Sequence, residues 1–183
     1  MAWIAKPSGT QRIERRVEPY LTSALKAKWS SELLPKYATK HGALMPILHE
    51  IQHEHRCIPY QAMLEIAAFL GLTPADVLDT VTFYDEFTTN KMGDCVIGVC
   101  QSVVCEACGH KKLLDHIRHR LELEPRETTD DGRFTLLTME CLGSCDTAPV
   151  ALFNDVLHEQ LTIEKVDQLI DSAKAAPATR HHT

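Results

Sequence analysis

Two groups of cysteines in the second half of the chain constrain its fold more than any other feature: Cys100, Cys105 and Cys108, then Cys141 and Cys145. Each falls just past an expected strand or in the loop that follows, where side chains converge at one end of a sheet. Two groups separated by a helix and a strand are what a four-thiolate metal site requires. Structural zinc sites usually take ligand pairs with about two to four intervening residues, tight knuckles being the usual form. The C-x4-C and C-x3-C loops here are wider than a tight knuckle and lie at the upper end of that range. They suit an iron–sulfur cluster, which is larger than one ion and takes backbone N–H groups directed at its sulfides.

Five cysteines compete for four ligand places, and C-x4-C-x2-C followed by a distant cysteine is also the plant-type ferredoxin spacing. Between Cys100 and Cys105 the chain reads Gln101-Ser102-Val103-Val104, with no glycine to turn tightly around a cluster. Cys141-Leu142-Gly143-Ser144-Cys145 does have one, able to take φ > 0 and let the backbone approach sulfide. The residues therefore favour Cys100 and Cys105 with Cys141 and Cys145 over any set using Cys108. Cys57 and Cys95 match no ligand position and are expected as small buried hydrophobes.

A total of seven cysteines is odd, against a fully paired secreted framework, and 183 residues can bury a core without covalent staples. A reducing compartment is the expectation. The most apolar run, Ile66 to Leu72, is far short of the roughly 18 residues of a spanning helix. Met1 to Pro7 lacks the apolar segment of a signal peptide. With 19 Lys and Arg against 25 Asp and Glu, the net charge of −6 disfavours nucleic acid as a partner.

Charge and periodicity divide the chain. Residues 1–28 carry six basic and two acidic side chains, net +4, and no periodic apolar face; an extended basic arm is expected there. Residues 29–90 form a helical bundle. Leu44, Ile47, Leu48 and Ile51 recur at helical spacing, as do Met63, Leu64, Ala67, Ala68 and Leu70 before Gly71, and Thr73-Pro74 opens a third helix. Residues 91–176 read as strand Cys95–Val99, helix Gly109–Leu123, strands Arg133–Glu140 and Val150–Phe153, and a closing helix from Thr162. That β-α-β-β-α order makes the fold class α/β, preceded by helices, with a tail at 177–183.

Three other features invite readings. His49-Glu50-Ile51-Gln52-His53 is a literal H-E-x-x-H, the zinc-protease pattern, but no third ligand follows at a recognisable position, and an exposed polar helix face is expected. Thr82-Phe83-Tyr84-Asp85-Glu86-Phe87 packs three aromatics into six residues and is expected to fill core. No G-x-G-x-x-G or G-x-x-x-x-G-K-[ST] is present, so NADH binding by either motif is excluded. Cys105-Glu106-Ala107-Cys108 has redox-dithiol spacing, a role that cluster binding through Cys105 would remove.

The order Val99-Cys100-x4-Cys105-x3-Gly109, then Glu140-Cys141-Leu142-Gly143-Ser144-Cys145-Asp146-Thr147-Ala148-Pro149-Val150, resembles the thioredoxin-like [2Fe-2S] ferredoxin family, which includes the E subunit of bacterial NADH:quinone oxidoreductase, respiratory complex I. Ala43-Leu44-Met45-Pro46-Ile47-Leu48 with Gln52, Leu70 to Val77, Thr82 to Phe87 and Leu161-Thr162 resemble it too, over about residues 30–175. The resemblance implies a thioredoxin-like domain whose [2Fe-2S] cluster is held by Cys100, Cys105, Cys141 and Cys145. It implies one component of an oxidoreductase, not catalytic alone, that exchanges single electrons with the FMN of a partner subunit carrying the NADH site. The chain would then lie in the cytoplasmic, peripheral arm of a membrane-bound complex. The equivalent subunit of an NAD-linked hydrogenase or formate dehydrogenase, and a structural four-cysteine zinc domain, are the alternatives. One departure stands out: Arg56-Cys57 replaces the family's usual glycine and aromatic, so the second helix is expected to end without its αL glycine. Thioredoxin-like folds often have a cis proline where this chain has Ala148-Pro149, and the sequence leaves its isomer open.

Overall fold

The computed structural model describes residues 16–176, which divide after Lys91 into two compact units. The first is helical: α1 (Ser23–Lys28), α2 (Leu44–His55), α3 (Tyr60–Leu70) and α4 (Pro74–Phe83), with short π and 3-10 turns between Trp29 and Ala43. Ile47, Leu48 and Ile51 of α2 and Ile66 and Ala67 of α3 are buried together with Val77 and Val81 of α4. The α2 stripe is the one the spacing predicts, whereas on α3 Leu64 and Ala68, expected on the buried face, are exposed and Ala62 and Ile66 are buried with Met63, Ala67 and Leu70 instead.

The helix ends follow local chemistry. Gly71 takes φ 71° past α3, and Leu72 N–H returns to the Ala67 carbonyl at 2.9 Å. Thr73 opens α4 with a full capping box: its hydroxyl accepts from Asp76 N–H, and the Asp76 carboxylate accepts from Thr73 N–H at 2.8 Å. The Asp76 carboxyl is held below its ordinary value by the Thr73 hydroxyl and N–H. Thr73→Ala is expected to destabilise the chain by about 1 kcal/mol in urea titration. The α2 end meets the expectation in one sense and departs in another. There is no glycine, but Arg56 itself adopts the left-handed conformation, φ 63°, and donates its N–H to the Gln52 carbonyl at 2.7 Å.

Two expectations need correction. Residues 16–28 are not an extended arm throughout: Thr22 caps α1, and Leu21 is buried in the helical core. The remainder of the expected arm, residues 1–15, and the tail at 177–183 lie outside the described residues. The aromatic run fills core only through Phe87, 7% exposed; Phe83 is 80% exposed and Tyr84 43%. The reason is positional. Phe83 ends α4, whose buried positions are Val77 and Val81, and the chain leaves the helix at Tyr84 before Phe87 turns inward.

The second unit is a four-stranded sheet in the order β2-β1-β3-β4: β1 (Cys95–Cys100), β2 (Phe134–Met139), β3 (Ala151–Phe153) and β4 (Val156–His158). β1 runs parallel to β2, with Cys100 opposite Met139, and antiparallel to β3; β3 and β4 form a hairpin. A parallel pair needs a long crossover. Here α5 (Val103–Ala107) and α6 (His110–Leu121) supply it, and α7 (Ile163–Ala175) follows β4. Ile97, Val99, Phe134 and Leu136 pack with Ile117 of α6 and Val166 and Ile170 of α7. At the surface, Asp167 of α7 takes His116 at 2.9 Å and Arg120 at 3.0 Å from α6. Thr162 caps α7 by accepting from Lys165 N–H. α5 and β4 are additions to the expected element order.

Candidate metal centre

The parallel register brings the two cysteine groups to one end of the sheet. Cys100 is the last residue of β1, opposite Met139, and Cys141 lies two residues past Met139 on the neighbouring strand. The ends are tied together: Gln101 N–H donates to the Met139 carbonyl at 2.8 Å, and the Gln101 side chain donates to Glu140 at 3.1 Å. Cys100 N–H donates to the Val150 carbonyl at 3.1 Å, fixing the third chain segment beside the first. Cys105 sits in α5 and is 1% exposed, like Cys100. The two pack with Val150, Leu142 and Ala148 in a small apolar cluster separate from the main core.

The second pair is built by the loop that the glycine predicts. Gly143 takes φ 82°, a conformation costly for a side-chain-bearing residue, and its N–H donates to Cys141 Sγ at 3.4 Å. Cys145 opens a single 3-10 turn, and its Sγ lies 3.4 Å from Cys141 Sγ. Ala148-Pro149, left open by the sequence, is cis.

The four thiols fall into two pairs, Cys100 with Cys105 and Cys141 with Cys145. Burial is the largest influence on Cys100 and pushes its thiol up, but the N–H and hydroxyl of Ser102 and the N–H of Leu142 outweigh it, so the net direction is down. Burial pushes Cys105 up, and the neighbouring Cys100 adds to this against the Val150 N–H. Cys141 is held down first by the Gly143 N–H and then by Cys145, while Cys145 is pushed up by Cys141. Each pair thus has one sulfur readied to lose its proton, the form in which sulfur binds metal. The Gly143 N–H donates to sulfur directly, and the N–H groups of Ser102, Leu142 and Val150 favour the thiolate forms of Cys100 and Cys105.

The donor set fits an iron–sulfur cluster. Among the described residues no three His, Cys, Asp or Glu side chains converge as they would on one metal ion. A two-iron core instead takes two thiolates at each iron, so it calls for two pairs, and sulfur-directed N–H groups are the environment such cores require.

The other sequence candidates lie elsewhere. Cys108 is exposed at the end of α5. Cys57, half-buried in the helical unit, donates to the His55 carbonyl at 3.7 Å and has its thiol pushed up by burial; Cys95 is buried in the sheet core. Iodoacetamide is therefore expected to label Cys108 ahead of Cys57 and Cys95, as peptide mass spectrometry would show. The H-E-x-x-H pattern has no free base: Glu50 accepts from Lys28 Nζ and from the Trp29 indole N–H, both at 2.7 Å, while His49 lies against Phe87. Two contributors went unpredicted. Ser102 is legible only as a hydroxyl two residues after a ligand, and Glu159 is distant in sequence from every cysteine.

Comparison with known proteins gives the family. The profile of the thioredoxin-like [2Fe-2S] ferredoxin family matches residues 30–174. The second E subunit of NADH-quinone oxidoreductase from Rhizobium meliloti is 38% identical over 141 residues, covering 77% of this chain and 84% of that protein. The E subunit of the Escherichia coli NADH-quinone oxidoreductase is 31% identical over 159 residues, covering 87% and 96%. Among solved structures, an NAD+-reducing [NiFe]-hydrogenase in the H2-reduced state superposes with a TM-score of 0.68 at 27% identity, over 77% of this chain and 23% of that one. With four thiols paired as described and a match running through both units, this chain belongs to the thioredoxin-like [2Fe-2S] ferredoxin family, together with the E subunits of NADH-quinone oxidoreductases.

Proposed function

We propose that this chain is the electron-transfer subunit of an NADH:quinone oxidoreductase, exchanging single electrons between a [2Fe-2S] cluster on Cys100, Cys105, Cys141 and Cys145 and the FMN of a partner subunit. The supporting observation is the grouping of the four thiols at one end of the sheet, Cys100 with Cys105 in one apolar cluster and Cys141 with Cys145 3.4 Å apart, with the Gly143 N–H donating to Cys141 Sγ. When bound, such a cluster takes up or gives up one electron at a time, whereas NADH delivers two electrons together as hydride.

The residues of this chain hold and tune; none does acid–base chemistry. Cys100 and Cys105 are buried against Val150, which lowers the local dielectric and keeps water from that side. Cys141 and Cys145 are exposed, so this side faces a redox partner at short range. The N–H donors stabilise negative charge on sulfur and therefore favour the reduced form, setting the potential within the wide span of about −700 to +450 mV open to such centres. The acidic residues 29–183, net −10 beside the +4 of residues 1–28, suit docking within a larger assembly in the peripheral arm of a membrane-bound complex. No helix among the described residues is long and apolar enough to cross a membrane.

Anaerobically purified protein is expected to be coloured, to contain two iron and two sulfide per chain, and to give an EPR signal on reduction. Colourless protein with one zinc would overturn the reading in favour of a structural zinc domain. The likeness to an NAD+-reducing hydrogenase supports a second context for the same chemistry, the corresponding subunit of an NAD-linked hydrogenase or formate dehydrogenase. Affinity purification from the native host distinguishes them by the proteins that co-elute.

A further inference from the structure

Glu159 lies between β4 and α7, outside both cysteine groups, yet it is bonded to the loop that carries Cys145. One carboxylate oxygen accepts from the Ser144 hydroxyl and from the Thr147 hydroxyl, the latter at 2.7 Å. The two hydroxyls are 3.1 Å apart, and Thr147 Oγ1 is also 3.2 Å from the Ser144 carbonyl. Each hydroxyl has a single proton, and an ionised carboxylate is the strongest acceptor within reach, so both protons go to Glu159. Two backbone bonds run beside this contact: Gln160 N–H to the Thr147 carbonyl at 2.8 Å and Leu161 N–H to the Pro149 carbonyl at 2.9 Å. The turn containing Cys145 is thereby clamped to residues 159–161.

The carboxylate is well placed to stay charged. The hydroxyls of Ser144 and then Thr147 hold its pKa below the ordinary value. Ser144 precedes Cys145 in the chain, so the carboxylate is bonded to the residue that adjoins one of the paired thiols.

We propose that Glu159 is the positioning residue of the Cys141–Cys145 loop: acting through Ser144 and Thr147 it fixes the Cys145 sulfur, and its charge lowers the reduction potential of the group those thiols hold. The proposal rests on the cluster reading above. Position and charge are separable, because glutamine retains an oxygen acceptor but no charge, whereas alanine removes both.

The test uses the full-length chain as wild type, Glu159→Gln, Glu159→Ala and Thr147→Val, with three measurements: iron release to a chelator, midpoint potential, and amide hydrogen exchange of residues 143–147 in the metal-free protein. Glu159→Ala is expected to speed iron release and metal-free exchange by about fivefold or more, the scale of a lost charge-assisted hydrogen bond. Glu159→Gln is expected to remain within about twofold of wild type in both, yet to raise the midpoint potential, since removal of a nearby negative charge favours the reduced form. Thr147→Val, which leaves the charge in place, is expected to speed release and exchange without that upward shift. Wild-type release and exchange in Glu159→Ala and Thr147→Val, or an unchanged potential in Glu159→Gln, would overturn the proposal. If wild-type protein holds no iron, the cluster reading fails instead, and exchange in the metal-free variants still decides whether Glu159 holds the loop.

Discussion

Cys145→Ser is expected to lose the visible absorption and bound iron of the purified protein, while Cys108→Ser keeps both. The physical contrast between the two thiols is large. Cys145 Sγ is 3.4 Å from Cys141 Sγ in a turn fixed by Gly143, so in the proposed ligand set its loss would remove one of the four thiolates that hold the cluster. A serine hydroxyl does not replace it, because its proton is not released near neutral pH and oxygen is a harder, poorer partner for this chemistry than thiolate sulfur. Cys108 is exposed at the end of α5. Iron content and absorbance of the two variants, purified side by side, check the expectation. Loss of the cluster in Cys108→Ser with retention in Cys145→Ser would remove the assignment of ligands and restore the plant-type spacing.

Trp29→Ala carries the second large expectation, a loss of about 3–5 kcal/mol from the stability of the helical unit. The indole is 1% exposed, its ring centre 5.9 Å from that of Phe69, and its N–H donates to Glu50 at 2.7 Å. Alanine therefore opens a cavity and also takes a donor from a carboxylate. Trp29→Phe separates the two effects, keeping most of the apolar volume and losing only the hydrogen bond, at about 1 kcal/mol. Burial pushes the Glu50 carboxyl up, but hydrogen bonds from Lys28 and Trp29 outweigh it and the folded value lies below the ordinary 4.5. A depressed carboxyl contributes stability at pH above its unfolded value and loses it as pH falls through the folded one. Part of the difference between wild type and Trp29→Phe should accordingly disappear on acidification below about pH 4. Urea titrations at two pH values, followed by far-ultraviolet circular dichroism, measure both.

Much of this fold was legible because local chemistry and long-range packing agree. Gly71, Thr73-Pro74 and Thr162 mark helix ends by their backbone preferences alone, and the apolar spacing of α2 matches the face that is buried. Gly143 was legible for the same reason: a short loop between thiols needs a residue at φ > 0. What escaped has no local signature. α1 and the turn at Trp29 show no periodic face; a single large side chain, Trp29, anchors that stretch instead. β4 pairs only with β3, and with Val156 60% exposed it lacks the alternation that would announce a strand. Phe83 and Tyr84 look like core by composition, but helix geometry leaves them outside. Arg56 occupies a left-handed position that its residue type does not advertise. Glu159 is invisible to spacing arguments because three-dimensional closure, not sequence proximity, places it against Ser144.

The parallel pairing of β1 with β2 has a consequence for biogenesis. Cys100 and Cys105 precede the end of the α5–α6 crossover, and Cys141 and Cys145 follow it, so neither half of the site can recruit the other until that crossover has closed and the two strands lie in register. Strands paired one residue out of step would turn alternate side chains to the opposite face and pull the thiol pairs apart. On the proposed ligand set, cofactor loading would follow topology: a chain still short of residue 145 would lack at least one of the four thiols. Metal held by that set would add its binding free energy only to chains whose central strands are joined in this register.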